Sequence, residues 1–282
     1  MAEAVGLPQR EMAAHGFPAE NESRAVMALW AYRLAWSAPL IFVISTTGVL
    51  ATRVIYSYYY PQKFLKTVPT ISETSSHSPS ADVFEWTMFA SVLCIFVLWP
   101  LVFVMNRERL QQIGKDHVTW PLHLLNGAST ALGLVAGVFL AMLGVVRLHD
   151  GPLSHDVHID LSIFYYSTQV IAFLIDGIIA MWMRRVHTGL SGPVERRALR
   201  ARAAIGVCAT VVALWFLYMY LHRGGIWDLR TGQTIYVATE YALVLLCMLY
   251  PLAIFLELRR HYGLKAQALG LPLLNPKLAF EG

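Results

Sequence analysis

Six uninterrupted apolar runs, at roughly 34–56, 84–105, 118–146, 161–183, 204–221 and 234–256, constrain this chain more than any other feature. Each is close to the ~20 residues that an α-helix needs to cross the hydrocarbon core of a bilayer. Backbone amides in lipid have no water to bond, so such runs must pair internally and fold as helices. Together they occupy about half of the 282 residues, and the segments between them are too short to hold a soluble domain. Only 14% of residues are charged, against ~25% in an ordinary soluble domain. A soluble enzyme, a disordered tail and a disulfide-stapled secreted module are therefore excluded. The expected fold class is all-α, a polytopic membrane protein with six transmembrane helices spanning 34–258, flanked by tails at 1–33 and 259–282.

The basic residues set the expected orientation. Arg10, Arg24, Arg33, Arg107, Arg109, Lys115, Arg184, Arg185, Arg196, Arg197, Arg200, Arg202, Arg259, Arg260, Lys265 and Lys277 all fall on one side of a six-span chain. Lys63, Lys66, Arg147, Arg223 and Arg230 fall on the other, with Arg53 at the outer end of span one. Lys and Arg accumulate on the cytoplasmic side, so both termini are expected in the cytoplasm. The first run begins too late and is too long for a cleaved signal peptide, and is expected to stay as an anchor. Asn21-Glu22-Ser23 matches a glycosylation pattern that a cytoplasmic tail would leave unused. Basic residues beside a cytoplasmic span end are attracted to anionic lipid, so no nucleic-acid partner is expected from them. Cys94, Cys208 and Cys247 lie inside apolar runs, where they pack as small hydrophobes.

Inside the spans, polar and small residues stand out. Gly133, Gly137 and Gly144 in span three leave a face on which another backbone can approach, in the same chain or in a membrane-protein partner. Asp176 and His123 fall at similar depth in the cytoplasmic half, close enough in the sequence reading to pair. Glu240 lies six residues into span six, ~9 Å deep at 1.5 Å per residue. Ionisable groups at such depth are costly and mark functional or fastening positions.

The outer side gathers chemistry. The segment between spans three and four reads RLHDGPLSHDVHID, with His149, Asp150, His155, Asp156, His158 and Asp160. Beside it stand Glu240, Arg53 and Ser72-Glu73-Thr74 with His77. Histidine within reach of carboxylate suits general acid–base work, and the same residue types ligate zinc. The spacing of His155 and His158, with no cysteine nearby, supplies no standard metal set, and neither a metal nor another cofactor is expected. The first outer loop, 57–83, opens on an interfacial belt of Tyr56, Tyr58, Tyr59 and Tyr60. Its Ser/Thr/Pro-rich remainder cannot bury a core of its own and can be ordered only by packing on something else.

These motifs resemble the FRAG/DRAM/SFK family of six-span membrane proteins, whose members include a GPI-anchor remodelling factor, the N-terminal half of the yeast Cwh protein and autophagy modulators. The resemblance rests on Pro69-Thr-Ile-Ser-Glu-Thr after span one, on His155-Asp156-Val-His-Ile-Asp-Leu-Ser-Ile-Phe164-Tyr165 at the start of span four and on Thr239-Glu240-Tyr241 in span six. Pro69, Ile71, Ser72, Glu73 and Thr74 fit the family's outer loop; Thr70 is additional, and Ser75 replaces a glycine whose freedom at positive φ serine lacks. The resemblance implies a site on the lumenal face in the endomembrane system (endoplasmic reticulum, Golgi or lysosome) or at the plasma membrane, and membrane lipids, including GPI-anchored substrates, as ligands. If the protein is an enzyme, His155 would be its acid or base, with Asp156 or Glu240 orienting it, and Ser72, Glu73, Thr74, Arg53 and Tyr241 would bind substrate. The alternative is a non-enzymatic adaptor that regulates autophagy, trafficking or recruitment of phosphoinositide kinases through its cytoplasmic face. Intramembrane zinc hydrolases and di-haem cytochromes need histidine pairs inside spans, which this chain lacks. A proton path would need carboxylates between Glu240 and Asp176.

Overall fold

The computed structural model describes residues 19–66, 68–113, 120–146, 154–186, 193–222 and 229–269. Among these residues there are nine helices and no strand: α1 (Ala19–Leu34), α2 (Ser37–Tyr59), α3 (Pro61–Lys66), α4 (Ile71–Thr74), α5 (Ser80–Ile113), α6 (Trp120–Val145), α7 (Ser154–Val186), α8 (Pro193–His222) and α9 (Leu229–Ala268). Six stretches are long and apolar enough to cross a membrane, Ser23–Tyr59, Ser80–Ile113, Trp120–Val145, Ser154–Val186, Arg196–His222 and Thr231–Ala268. The protein is an all-α, multi-pass integral membrane protein. Helices α5, α7, α8 and α9 run beyond their apolar stretches at both ends, which carries polar residues on α7, α8 and α9 into the bundle.

The six long helices form a closed ring. Each of α2, α5, α6, α7, α8 and α9 packs on its neighbour in that order, and α9 returns to α2. Short connections between consecutive spans make such neighbours the natural partners. Pro39 sits in the first turn of α2, where no intrahelical bond needs its amide. Small residues set the closest approaches. Gly133 of α6 lies against the Trp99 indole of α5, and Gly137 against Ile95. Gly177 of α7 and Gly206 of α8 let those two backbones cross, with the ideal Cβ position of Gly206 2.9 Å from the Phe173 carbonyl oxygen. At mid-depth Trp99, Phe173 and Tyr250, from α5, α7 and α9, stack with centroids 6.2 and 3.8 Å apart.

Two polar layers close the ring at its ends. One, at the end where the arginines gather, is a buried ion network. Arg202 of α8 bonds Asp176 of α7 at 2.6 Å and Glu257 of α9 at 2.8 Å, and Arg109 of α5 reaches Glu257 at 2.6 Å. Asn106 donates to Asp176 at 2.8 Å and to Asn126 of α6 at 3.3 Å, and the Tyr250 hydroxyl donates to Asp176. Two cations and two carboxylates give local neutrality, the arrangement that makes burial of charge in a membrane tolerable. The expected Asp176–His123 pair does not form: His123 is exposed on α6, and Asp176 turns inward to Arg202. The helical phase of α8, with Arg202 stacked one turn before Gly206, puts this arginine inside rather than among lipid anchors.

Candidate functional site

The second polar layer begins with a helix of four residues. In α4 the Thr70 hydroxyl accepts from the Glu73 amide at 2.9 Å, and the Glu73 carboxylate accepts from the Thr70 amide at 2.8 Å, a reciprocal capping box. The Ile71 amide, which has no partner inside so short a helix, donates to Oε2 of Glu240 on α9 at 3.0 Å. At the other end the hydroxyls of Thr74, Ser75 and Ser76 donate back to the carbonyls of Ile71, Ser72 and Glu73. The Ser/Thr-rich loop therefore satisfies its own backbone and is pinned to span six by one carboxylate. Ser75 turns the chain at φ −96°, so the position where the family carries glycine needs no positive φ here.

Ser72 reaches out of the loop to another helix. Its Oγ lies 3.0 Å from Nε2 of His158, which is 3% exposed in the first turns of α7. Nδ1 of the same ring lies 2.6 Å from the Val146 carbonyl oxygen at the end of α6. A carbonyl can only accept, so Nδ1 carries the proton and in the neutral ring Nε2 holds the lone pair. The Ser72 hydroxyl then donates to Nε2.

Two cavities meet at this pair. The larger, about 950 Å³ with its mouth included, lies inside the ring and has Ser72, His158 and Glu240 at one end. Its walls are Ile95, Leu98, Trp99, Leu140 and Phe173 among others. Gln169 of α7, 5% exposed, lines it with an Oε1 atom that has no hydrogen-bond partner among the described residues. The second cavity, about 690 Å³, lies between α4, α7, α8 and α9 and shares Ser72, His158, Ser162, Tyr166 and Glu240 with the first. The apolar chamber and the loop-side chamber thus have a common polar wall.

Sequence-predicted residues are placed unequally around it. Ser72, Glu73, His155 and Glu240 line the second cavity. His155 is exposed there, whereas the buried histidine bonded to Ser72 is His158. Asp156 is exposed and lines neither cavity, and Thr74 is buried as part of the α4 turn. Arg53 donates to the Tyr241 hydroxyl with its guanidinium 5.2 Å from that ring's centroid, a pair fastening α2 to α9 outside both cavities. His149 and Asp150 lie outside the described residues. Among the described residues no group of three or more His, Cys, Asp or Glu side chains could hold a metal ion. Sequence reasoning missed His158 as the inward histidine, and Gln169 altogether.

A family model described as the Frag1/DRAM/Sfk1/Cwh43P N-terminal domain matches residues 26–261. No curated protein and no solved structure matches the chain.

Proposed function

Because this chain belongs to the Frag1/DRAM/Sfk1/Cwh43P N-terminal domain family, and because its two cavities share one polar wall, we propose that it binds a membrane lipid inside its helix ring and acts in remodelling lipid anchors of the GPI type. The headgroup lies at Ser72, Glu73, His158 and Glu240, and an acyl chain runs into the apolar chamber. The observation that carries this reading is the continuity of that polar cluster with an apolar cavity within a membrane-spanning bundle. An amphipathic molecule is what such a space solvates at both ends. The unpartnered Gln169 oxygen adds a polar contact below the headgroup. The excess of Lys and Arg that the sequence assigns to the opposite side of the spans supports a lumenal position for the cluster, in the endomembrane system.

The test is to purify the protein in mild detergent and identify bound lipid by native mass spectrometry. Ser162→Phe fills the shared wall. It is expected to lose about 1–3 kcal/mol of lipid affinity through overpacking, roughly 5- to 150-fold. In cells lacking the endogenous protein, the same variant is expected to leave GPI-anchor lipid composition uncorrected, while the Arg196→Gln, Arg197→Gln, Arg200→Gln triple variant restores it. The reverse pattern would support the second reading, an adaptor working through the arginines, all three of which are exposed on α8.

A further inference from the structure

We infer that Ser72 and His158 form a nucleophile–base pair that transfers an acyl group from a long-chain ester lipid, an inference that rests on the lipid-binding reading above. The hydrogen-bond directions are fixed by chemistry. The Val146 carbonyl 2.6 Å from Nδ1 holds the ring in the tautomer whose Nε2 lone pair faces the Ser72 hydroxyl 3.0 Å away. A serine activated by a histidine that a third group orients is the recurring arrangement for covalent acyl transfer. Here a backbone carbonyl stands in the orienting role.

The serine is singled out within its own loop. Thr74 and Ser75 return their hydroxyls to backbone carbonyls, and Ser76 donates to the Glu73 carbonyl and lies 2.7 Å from Nδ1 of its neighbour His77, away from both cavities, whereas Ser72 meets a histidine of another helix on the wall that the cavities share. Its backbone is held by the Thr70–Glu73 box and by Glu240 on the preceding amide, so the nucleophile sits on a fixed turn. Placement supplies the substrate class. Ser72 lines both chambers, one apolar and deep enough in the bundle for an acyl chain, the other on the loop side where an alcohol can leave or arrive. An ester joining a long acyl chain to a polar alcohol would straddle the serine.

The reaction balances with groups already named. Ser72 Oγ attacks the ester carbonyl carbon while Nε2 of His158 takes the hydroxyl proton. The bond from that carbon to the alcohol oxygen breaks, and the proton on Nε2 passes to the departing alkoxide, leaving the acyl group on Ser72. A second lipid hydroxyl, or water, then attacks the acyl-serine as Nε2 takes its proton, and the Ser72 oxygen leaves with that proton. No oxidant or metal is consumed.

The experiment treats the full chain in mild detergent with a hexadecyl fluorophosphonate and separately with p-nitrophenyl palmitate, and maps adducts by peptide mass spectrometry. Bound lipid is measured in the same samples. A single adduct on Ser72 is expected in the unmodified protein and in Ser78→Ala, an exposed loop serine. Ser72→Ala should give none. His158→Asn keeps an N–H for the Val146 carbonyl but has no Nε2, so it should retain its melting temperature while labelling slows by about 10²–10⁴. Bound lipid with no Ser72 adduct, or equal labelling in His158→Asn, overturns the nucleophile–base pair and leaves lipid binding standing. Neither lipid nor adduct overturns both.

Discussion

Arg202 is 0% exposed, and its guanidinium binds two carboxylates on two other helices. Removing it leaves Asp176 with only neutral donors and Glu257 with Arg109 alone. Arg202→Met is expected to destabilise the protein by about 3–5 kcal/mol, the cost of stranding a buried charge. Adding Asp176→Leu should recover part of that loss, because the stranded charge is then gone; thermal unfolding in detergent of both variants checks this. Equal stability of Arg202→Met and the unmodified protein would contradict the network. Arg202 was hard to read from sequence because arginine at the edge of an apolar run looks like a lipid anchor. His158 was hidden differently. With span four begun at 161, the histidines fell in a loop where all three were equivalent, and His155 was favoured by family resemblance. Once α7 is known to begin at Ser154, His158 shares a face with Leu161, Tyr165 and Gln169, a 3.6-residue phase that selects it over His155. That phase was present in the sequence; the helix start was not. Glu240, by contrast, was legible from depth alone, since a carboxylate there demands a partner.

At the scale of elements, the packing of α6 on α5 depends on hydrogen side chains. A Cβ at position 133 would fall on the Trp99 ring, whereas one at Gly127 of the same helix meets nothing within 4 Å. Gly133→Ala is expected to cost about 1–3 kcal/mol by overpacking. Gly127→Ala should be neutral or add up to ~1 kcal/mol from helix propensity. Melting temperatures of the two variants, compared at matched detergent, decide the matter, and a loss of similar size in both would point to a general helix effect. The glycine pattern was visible in the sequence, but its partner was not, because the same spacing serves an intramolecular seam and an oligomer. The loop before α5 was less legible still. Its composition showed only that it could not bury a core, whereas its order comes from short-range hydroxyl bonds and one carboxylate that is 169 residues away.

For the whole molecule, six apolar runs were enough to fix the number of spans, since bilayer thickness leaves little freedom in length. The cyclic order of packing was not in the pattern, because hydropathy says how many helices cross and not which ones touch. An even number of spans puts both described ends of the bundle on one side, and the basic bias predicts that this side is the cytoplasm. With Cys94, Cys208 and Cys247 changed to Ala, Ser78→Cys is expected to react with an impermeant maleimide from the lumenal or extracellular face, and Arg107→Cys only after permeabilisation. Both positions are exposed, so the opposite pattern would invert the topology and move the proposed site to the cytoplasm. The bond from Ile71 to Glu240 has a consequence for how the molecule comes to exist. During synthesis the early loop is threaded long before its carboxylate is translated, and the barrel of helices keeps an open seam where α9 will lie. The ribosome therefore makes a protein without a chamber until the last span arrives. The polar wall shared by the two cavities is complete only after one late glutamate has fastened an early loop.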